Sequence, residues 1–78
     1  MKVRLVGPAR EQADHIDRWW RENRPAAADL FARELAKARE LLAHMPEVGT
    51  PYQRRRGTAI RRVLLPKTQN HVYYEIDH

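Results

Sequence analysis

Six basic side chains are concentrated in one short stretch of this chain. They are Arg54, Arg55, Arg56, Arg61, Arg62 and Lys67, and no Asp or Glu lies between residues 48 and 74. Residues 1–47, by contrast, carry nine Lys or Arg against eight Asp or Glu. Such an uncompensated stripe favours an anionic partner, either a nucleic acid or an acidic protein surface, over a basic loop that only keeps the domain in solution.

The three consecutive arginines, Arg54–Arg56, fit either kind of partner. Against a nucleic acid they would make phosphate contacts that do not depend on the base sequence. Tyr52 is the aromatic residue nearest to them, so base stacking on a single strand has little support. Against a protein they would neutralise an acidic segment. The residues alone leave both uses open.

His71 and Tyr73 are the neighbouring residues with acid–base chemistry. A histidine can act as acid or base near neutral pH, and His71, Tyr73 and Glu75 alternate along one face of a predicted strand. The alternative is that they are ordinary exposed cross-strand residues. The chain has no cysteine and no serine, and its histidines lack ligand spacing, so we expect no metal site, no cofactor and no serine nucleophile.

The elements that position these residues follow from hydrophobic periodicity. Lys2–Val6 alternates and predicts a strand, and apolar residues spaced by three and four predict helices from Ala9 to Asn23 and from Pro25 to Met45. With about one residue between them, the helices must form an antiparallel hairpin. Trp20 belongs to the apolar stripe of the first helix, whereas Trp19 lies at its margin, either flanking the core or facing a partner.

After the exit Pro46–Gly49 the period changes from 3.6 to about 2. We expect a polar connection over Tyr52–Thr58, a strand over Ala59–Leu65 and an antiparallel partner over His71–Asp77. The prediction is one α+β domain over residues 1–78, in the order β-α-α-β-β, with the helical hairpin packed on a small, mainly antiparallel sheet. No apolar run of about 18 residues and no signal peptide is present, and we expect a cytoplasmic protein.

These segments together resemble the RelE/ParE superfamily of toxins from type II toxin–antitoxin modules, and its ParE branch more than its ribosome-dependent RNases. The resemblance covers essentially the whole chain and rests on four segments: Asn23–Phe31, Leu41–Gly49, Arg61–Leu65 and His71–Tyr74. Family members usually continue into a further strand and a tail. The resemblance therefore implies a sheet lacking its last strand, with an exposed edge that invites pairing with another chain, including oligomer formation.

The ParE-like resemblance implies a toxin that stalls growth by protein contact with DNA gyrase and is silenced by a cognate antitoxin. It favours an acidic antitoxin segment as the partner of the basic stripe. The implied partner-binding residues are Arg54, Arg55, Arg56, Arg61, Arg62, Lys67 and Trp19, and none of them is catalytic.

Two alternatives remain. One is a RelE-type endonuclease acting on ribosome-bound mRNA, in which a ribose 2′-hydroxyl attacks the adjacent phosphate. Its catalytic residues would be Arg61, Arg62, Lys67, His71 and Tyr73. The other is an inactive, truncated paralogue that only binds antitoxin.

Overall fold

The computed structural model describes residues 2–77. It contains two long helices and a four-stranded sheet. The elements are β1 (Lys2–Leu5), α1 (Gly7–Asn23), a short 3₁₀ turn (Pro25–Ala27), α2 (Leu30–His44), β2 (Thr50–Arg55), β3 (Thr58–Leu65) and β4 (Asn70–Asp77). The predicted α+β class and the order strand, two helices, strands are confirmed, with one strand more than predicted.

The first helix begins two residues earlier than predicted, at Gly7. Pro8 lies in its first turn, where the missing N–H is not needed and the fixed φ suits a helix. The amide of Ala9 donates to the carbonyl of Val6 at 2.9 Å, which starts the helical ladder. The Gly-Pro pair therefore ends the strand and opens the helix at the same point.

The link between the helices is longer than predicted. The sequence predicts a continuous helix from Pro25, whereas the structure has a 3₁₀ turn over Pro25–Ala27 and α2 begins at Leu30. The amide of Ala27 donates to the carbonyl of Arg24 at 2.9 Å. The loop that reverses an antiparallel helix pair usually has two to five residues, so the predicted one-residue link is too short. The first residues of the predicted second helix therefore belong to the link instead.

All neighbouring strands of the sheet are antiparallel, in the order β1-β4-β3-β2. The strand that the sequence missed is β2, which begins at Thr50 and overlaps the predicted polar connection Tyr52–Thr58. All six of its residues are exposed, so it shows no alternation of apolar and polar residues. Its backbone ladder to β3 holds it at the sheet edge, where Pro51 is tolerated. Because β4 lies between β1 and β3, the last strand has a neighbour on both sides.

The core lies between the helices and one face of the sheet. Its buried members are Leu5, Ala9, Phe31, Leu42, Leu65, Val72 and Tyr74. In α2, Phe31 and Leu42 are three turns apart on one stripe, and they pack on strand residues that alternate along β3 and β4. Helical and strand periodicity thus converge on one small core.

The exit from α2 is fixed by the side chain of Tyr74. Its hydroxyl donates to the carbonyl of Pro46 at 2.7 Å and accepts from the amide of Gly49 at 3.0 Å. A Cβ on Gly49 would meet this tyrosine and lie 2.8 Å from the carbonyl oxygen of Arg62. Only glycine fits, because the turn lies directly on the sheet.

Replacing Tyr74 with Phe tests this anchor. The Tyr74→Phe variant leaves the buried amide of Gly49 without its partner, and we expect a loss of about 1–3 kcal/mol in the free energy of unfolding, measured by urea denaturation. Tyr73→Phe is the matched control, since no hydrogen bond of its hydroxyl occurs within residues 2–77. Equal stability of the two variants would contradict the anchor.

Candidate partner-binding face

The face of the sheet opposite the core carries the chemically interesting side chains. In the β3–β4 register Ile60 lies opposite Glu75, Arg62 opposite Tyr73 and Leu64 opposite His71. These residues alternate with the core residues Val72, Tyr74 and Leu65, so they point the other way. We call the six residues Ile60, Arg62, Leu64, His71, Tyr73 and Glu75 the outer face.

A cluster of aromatic and cationic side chains forms on the outer face. The rings of Tyr52 and Tyr73 meet edge to face at 4.8 Å, and the Arg62 guanidinium lies 5.5 Å from the centre of the Tyr52 ring. His71 extends the row, with its ring 6.5 Å from that of Tyr73. These are ordinary distances for aromatic pairing and for a cation–π contact.

Tyr52 reaches this cluster because of an irregularity in β2. The register between β2 and β3 shifts between Pro51 and Gln53, which is a β-bulge at Tyr52. A bulge places an extra residue in one strand and redirects side chains. From the sequence, Tyr52 is only an aromatic residue beside the arginines, because no residue pattern predicts a bulge there.

Two adjoining cavities extend the outer face towards the β2–β3 turn. One, of about 320 Å³, is lined by the first turn of α1 and by Tyr52, Arg55, Ile60 and Tyr73. The other, of about 400 Å³, shares Arg55 and Ile60 and is also lined by Arg4, Arg56 and Glu75. Ile60 is buried between them, so the recess has an apolar floor and a cationic rim.

Glu75 does not neutralise that rim, because it is already paired. Its carboxylate accepts from Nε of Arg4 at 2.7 Å, and this hydrogen bond raises the pKa of Arg4 above its ordinary value. Within residues 2–77, none of the six cations of the basic stripe lies within ion-pair distance of a carboxylate. The charge of the stripe is therefore not neutralised by a carboxylate of the described residues.

The structure does not gather the six cations into one patch. Arg62 lies on the outer face, but Arg61 points to the core side and donates to the carbonyls of Gly49 at 2.7 Å and Glu47 at 3.1 Å. Lys67 follows β3, whereas Arg54–Arg56 precede it. An eight-residue strand is roughly 26 Å long, so they lie at opposite ends.

Two other predicted partner contacts lie away from the outer face. The backbone amide of Lys67 donates to the carboxylate of Glu34 at 2.6 Å, and the amide of Thr68 donates to the same group at 3.0 Å, which fixes this loop to α2. Trp19 is half-exposed on α1 and meets Trp20 edge to face at 5.7 Å. Both belong to the helix side of the molecule.

The residues proposed for RNA cleavage are divided in the same way. Arg62, His71 and Tyr73 share the outer face, whereas Arg61 is engaged on the core side and Lys67 lies at the far end of β3. Three of the five are thus brought together.

Two other kinds of site are absent from the described residues. No group of three or more His, Asp or Glu side chains there could hold a metal ion. Neither of the long helices has the length and apolar character of a membrane span.

Comparison with known families assigns the chain. The model of the ParE toxin of the type II toxin–antitoxin system parDE matches residues 3–78. The chain belongs to the ParE toxin family. Comparisons with curated proteins and with solved structures give no match. A ParE-type toxin belongs to a two-component module, so this protein has an antitoxin as its partner, and the resemblance seen in the sequence is confirmed.

The turn that ends β2 shows a local strain at one of the stripe's arginines. Arg56 has φ +52° and Gly57 has φ +80°, which are the conformations of a type I′ hairpin turn. Glycine adopts such a φ freely, but arginine pays a steric penalty from its Cβ. Asn is the residue type that this position favours.

Replacing Arg56 with Asn relieves that strain. We expect Arg56→Asn to raise the free energy of unfolding by about 0.5–1 kcal/mol in urea denaturation, because Asn tolerates the left-handed conformation. Arg55→Asn removes the same charge at an extended position and serves as the control, with no gain expected. If both variants gain equally, relief of charge repulsion rather than of backbone strain is the cause.

Proposed function

We propose that this ParE-type toxin inhibits DNA gyrase by protein contact through its outer face, and that a cognate antitoxin neutralises it by covering that face with an acidic segment. The proposal places it in the cytoplasm. The observation that carries it is the cluster of Tyr52, Arg62 and Tyr73 beside the buried Ile60. Tyr and Arg around an apolar centre are the residues that dominate protein–protein binding energy.

The free charge on this face supports an acidic partner segment. Arg55 and Arg56 line the recess, Arg62 lies over the ring of Tyr52 beside it, and none of the three has a carboxylate partner within residues 2–77. An acidic segment that places an apolar side chain over Ile60 would bury that side chain and pair its carboxylates with the rim. Desolvated pairs of this kind give specificity as well as binding.

The seven predicted partner-binding residues take different parts in this proposal. Arg62 lies at the centre of the interface and Arg55 and Arg56 at its basic end, whereas Arg54 lies on the opposite face of β2. Arg61 contributes indirectly, because it holds the turn that leads into β2. Trp19 and Lys67 would require a partner that also reaches the helix side.

The sheet edges offer a further route to self-association, which we propose only for β1. The β2 edge carries Pro51 and the bulge at Tyr52, and both disfavour addition of another strand. The β1 edge has no proline and no bulge in its pairing with β4, although its four residues limit how many hydrogen bonds a second chain could add. An oligomer built through it would leave the outer face open.

A gyrase supercoiling assay with purified protein tests the main proposal. The Tyr52→Ala/Arg62→Ala variant should lose inhibitory potency by about tenfold to a hundredfold, because it removes two residues of the hot-spot type. Arg18→Ala/Lys37→Ala is the control: it removes two exposed charges from the helices and should inhibit like the parent. Full inhibition by the outer-face variant would contradict the proposed surface.

A translation assay separates the alternatives. Arg62, His71 and Tyr73 share one face, which keeps the endonuclease reading open. Cleavage of ribosome-bound mRNA together with unaffected supercoiling would show that the protein is an endonuclease and would contradict the gyrase proposal. Saturable antitoxin binding with no growth arrest on expression would instead identify an inactive paralogue.

A further inference from the structure

The β2–β3 hairpin ends in a two-stranded ribbon that is not paired with β4. Pairing between β2 and β3 continues through Arg54↔Ala59 to Arg55↔Thr58, whereas pairing between β3 and β4 begins only at Ile60↔Glu75. Residues 54–59 therefore form a two-stranded tip, which a cavity separates from Ile76 and Asp77 at the end of β4. We call these six residues the hairpin tip.

The arginines of the hairpin tip point in three directions. Successive side chains of a strand face opposite sides, so Arg54 and Arg55 lie on the two faces of the ribbon. Arg56 lies at the apex, in the turn. Arg54 donates to the carbonyl of Gly57 at 3.0 Å through one of its nitrogens, which leaves its other donors available.

No acid neutralises these charges in the described part of the chain. Glu47, Glu75 and Asp77 share a cavity with Arg54 on one face of the tip, but none is within ion-pair distance of Arg54, and Glu75 is bound to Arg4. The tip thus carries an arginine on each face and one at its apex, none of them in an ion pair within residues 2–77.

The composition of the tip identifies the class of partner. Besides the arginines it contains only Gly57, Thr58 and Ala59. Arginine dominates protein–protein binding where apolar side chains pack around it and exclude water, and the tip has no apolar side chain larger than that of Ala59. Contacts to phosphates need only cations and hydrogen-bond donors. The tip therefore differs from the outer face, whose aromatic residues suit a protein.

The shape of the tip indicates which nucleic acid fits. The major groove of B-form DNA is about 12 Å wide and admits a two-stranded β-ribbon, with a phosphate backbone on either side. A ribbon with arginines on both faces can meet both backbones at once. The major groove of A-form RNA is deep and narrow and does not admit protein elements in this way.

We infer that the hairpin tip inserts into the major groove of duplex DNA and binds the phosphates on both sides of it through Arg54, Arg55 and Arg56. This binding is independent of base sequence and needs no gyrase. Arg56, at the apex, occupies a turn position where Asn or Gly is less strained.

The expected binding is weak and strongly dependent on salt. Each phosphate neutralised contributes about −0.9 to the slope of log K against log salt concentration, so three arginines give about −2.7. Affinity should then fall about 40-fold between roughly 50 and 200 mM salt. The number of cations engaged can be read from this slope.

Fluorescence anisotropy with a labelled DNA duplex of mixed sequence tests the inference. The Arg55→Gln/Arg56→Asn variant should bind more weakly and lose about 1.8 units of the salt slope, corresponding to two phosphate contacts. Its fold is secure, because Asn suits the turn, and circular dichroism verifies this. Arg18→Gln/Lys37→Gln removes the same net charge from the helices and should keep the full slope. Equal losses in the two variants would overturn the inference in favour of general attraction by net charge.

Two further probes in the same assay identify the partner. An RNA duplex of the same sequence should bind more weakly than the DNA, and equal affinity would overturn insertion into the groove. A polyglutamate peptide can pair with Arg55 and Arg56 at the rim of the recess, so Arg54 on the other face of the ribbon separates the two partners. Arg54→Gln should reduce the salt slope for DNA by about 0.9 and leave polyglutamate binding unchanged. An equal effect on both probes would make the tip a site for acidic proteins, and the inference would fail. These binding assays contain no gyrase. A failure of the DNA-binding inference would therefore say nothing about gyrase inhibition, which the supercoiling assay tests separately.

Discussion

The hydrogen bonds of the Tyr74 hydroxyl to Pro46 and Gly49 are the constraint on which the rest of the structure depends. They fix the point at which the chain leaves the helices, crosses the sheet and enters β2. The Tyr74 hydroxyl is fully buried, and it is stable there because it both donates and accepts a hydrogen bond. If one of the two bonds were missing, a buried polar group would be left without a partner. β2 begins at the next residue, Thr50, and the bulge at Tyr52 lies two residues further on.

Arg61 and Arg62 show how one strand serves both the fold and the site. They are adjacent, so their side chains leave the strand on opposite faces. Arg61 faces Tyr74 across the ladder and binds carbonyls of the same exit turn, whereas Arg62 faces Tyr73 and covers the ring of Tyr52. Two identical residues thus have different roles, and only the register with β4 distinguishes them.

The parts of the fold that follow from periodicity could be predicted, and the parts that depend on tertiary contacts could not. The helical stripes and the alternation of β4 are visible in the sequence because burial imposes them. The edge strand β2 buries none of its side chains, so it leaves no such pattern. In the site, Arg62, His71 and Tyr73 could be found from one sequence, but the contribution of Tyr52 depends on a bulge, and the separation of Lys67 from Arg54–Arg56 depends on the length of β3.

The three adjacent arginines are tolerated in so small a domain because the ribbon directs their side chains apart. On a helix, neighbouring side chains diverge by about 100°, whereas in the ribbon Arg54 and Arg55 point to opposite sides and Arg56 occupies the apex. Water further weakens the repulsion between exposed charges, to about 1 kcal/mol even at 4 Å. The core therefore need not compensate for it. The same separation makes the tip a poor match for one flat acidic surface, since such a surface could reach only one of its two faces, and suits it to a partner that carries negative charge on both sides.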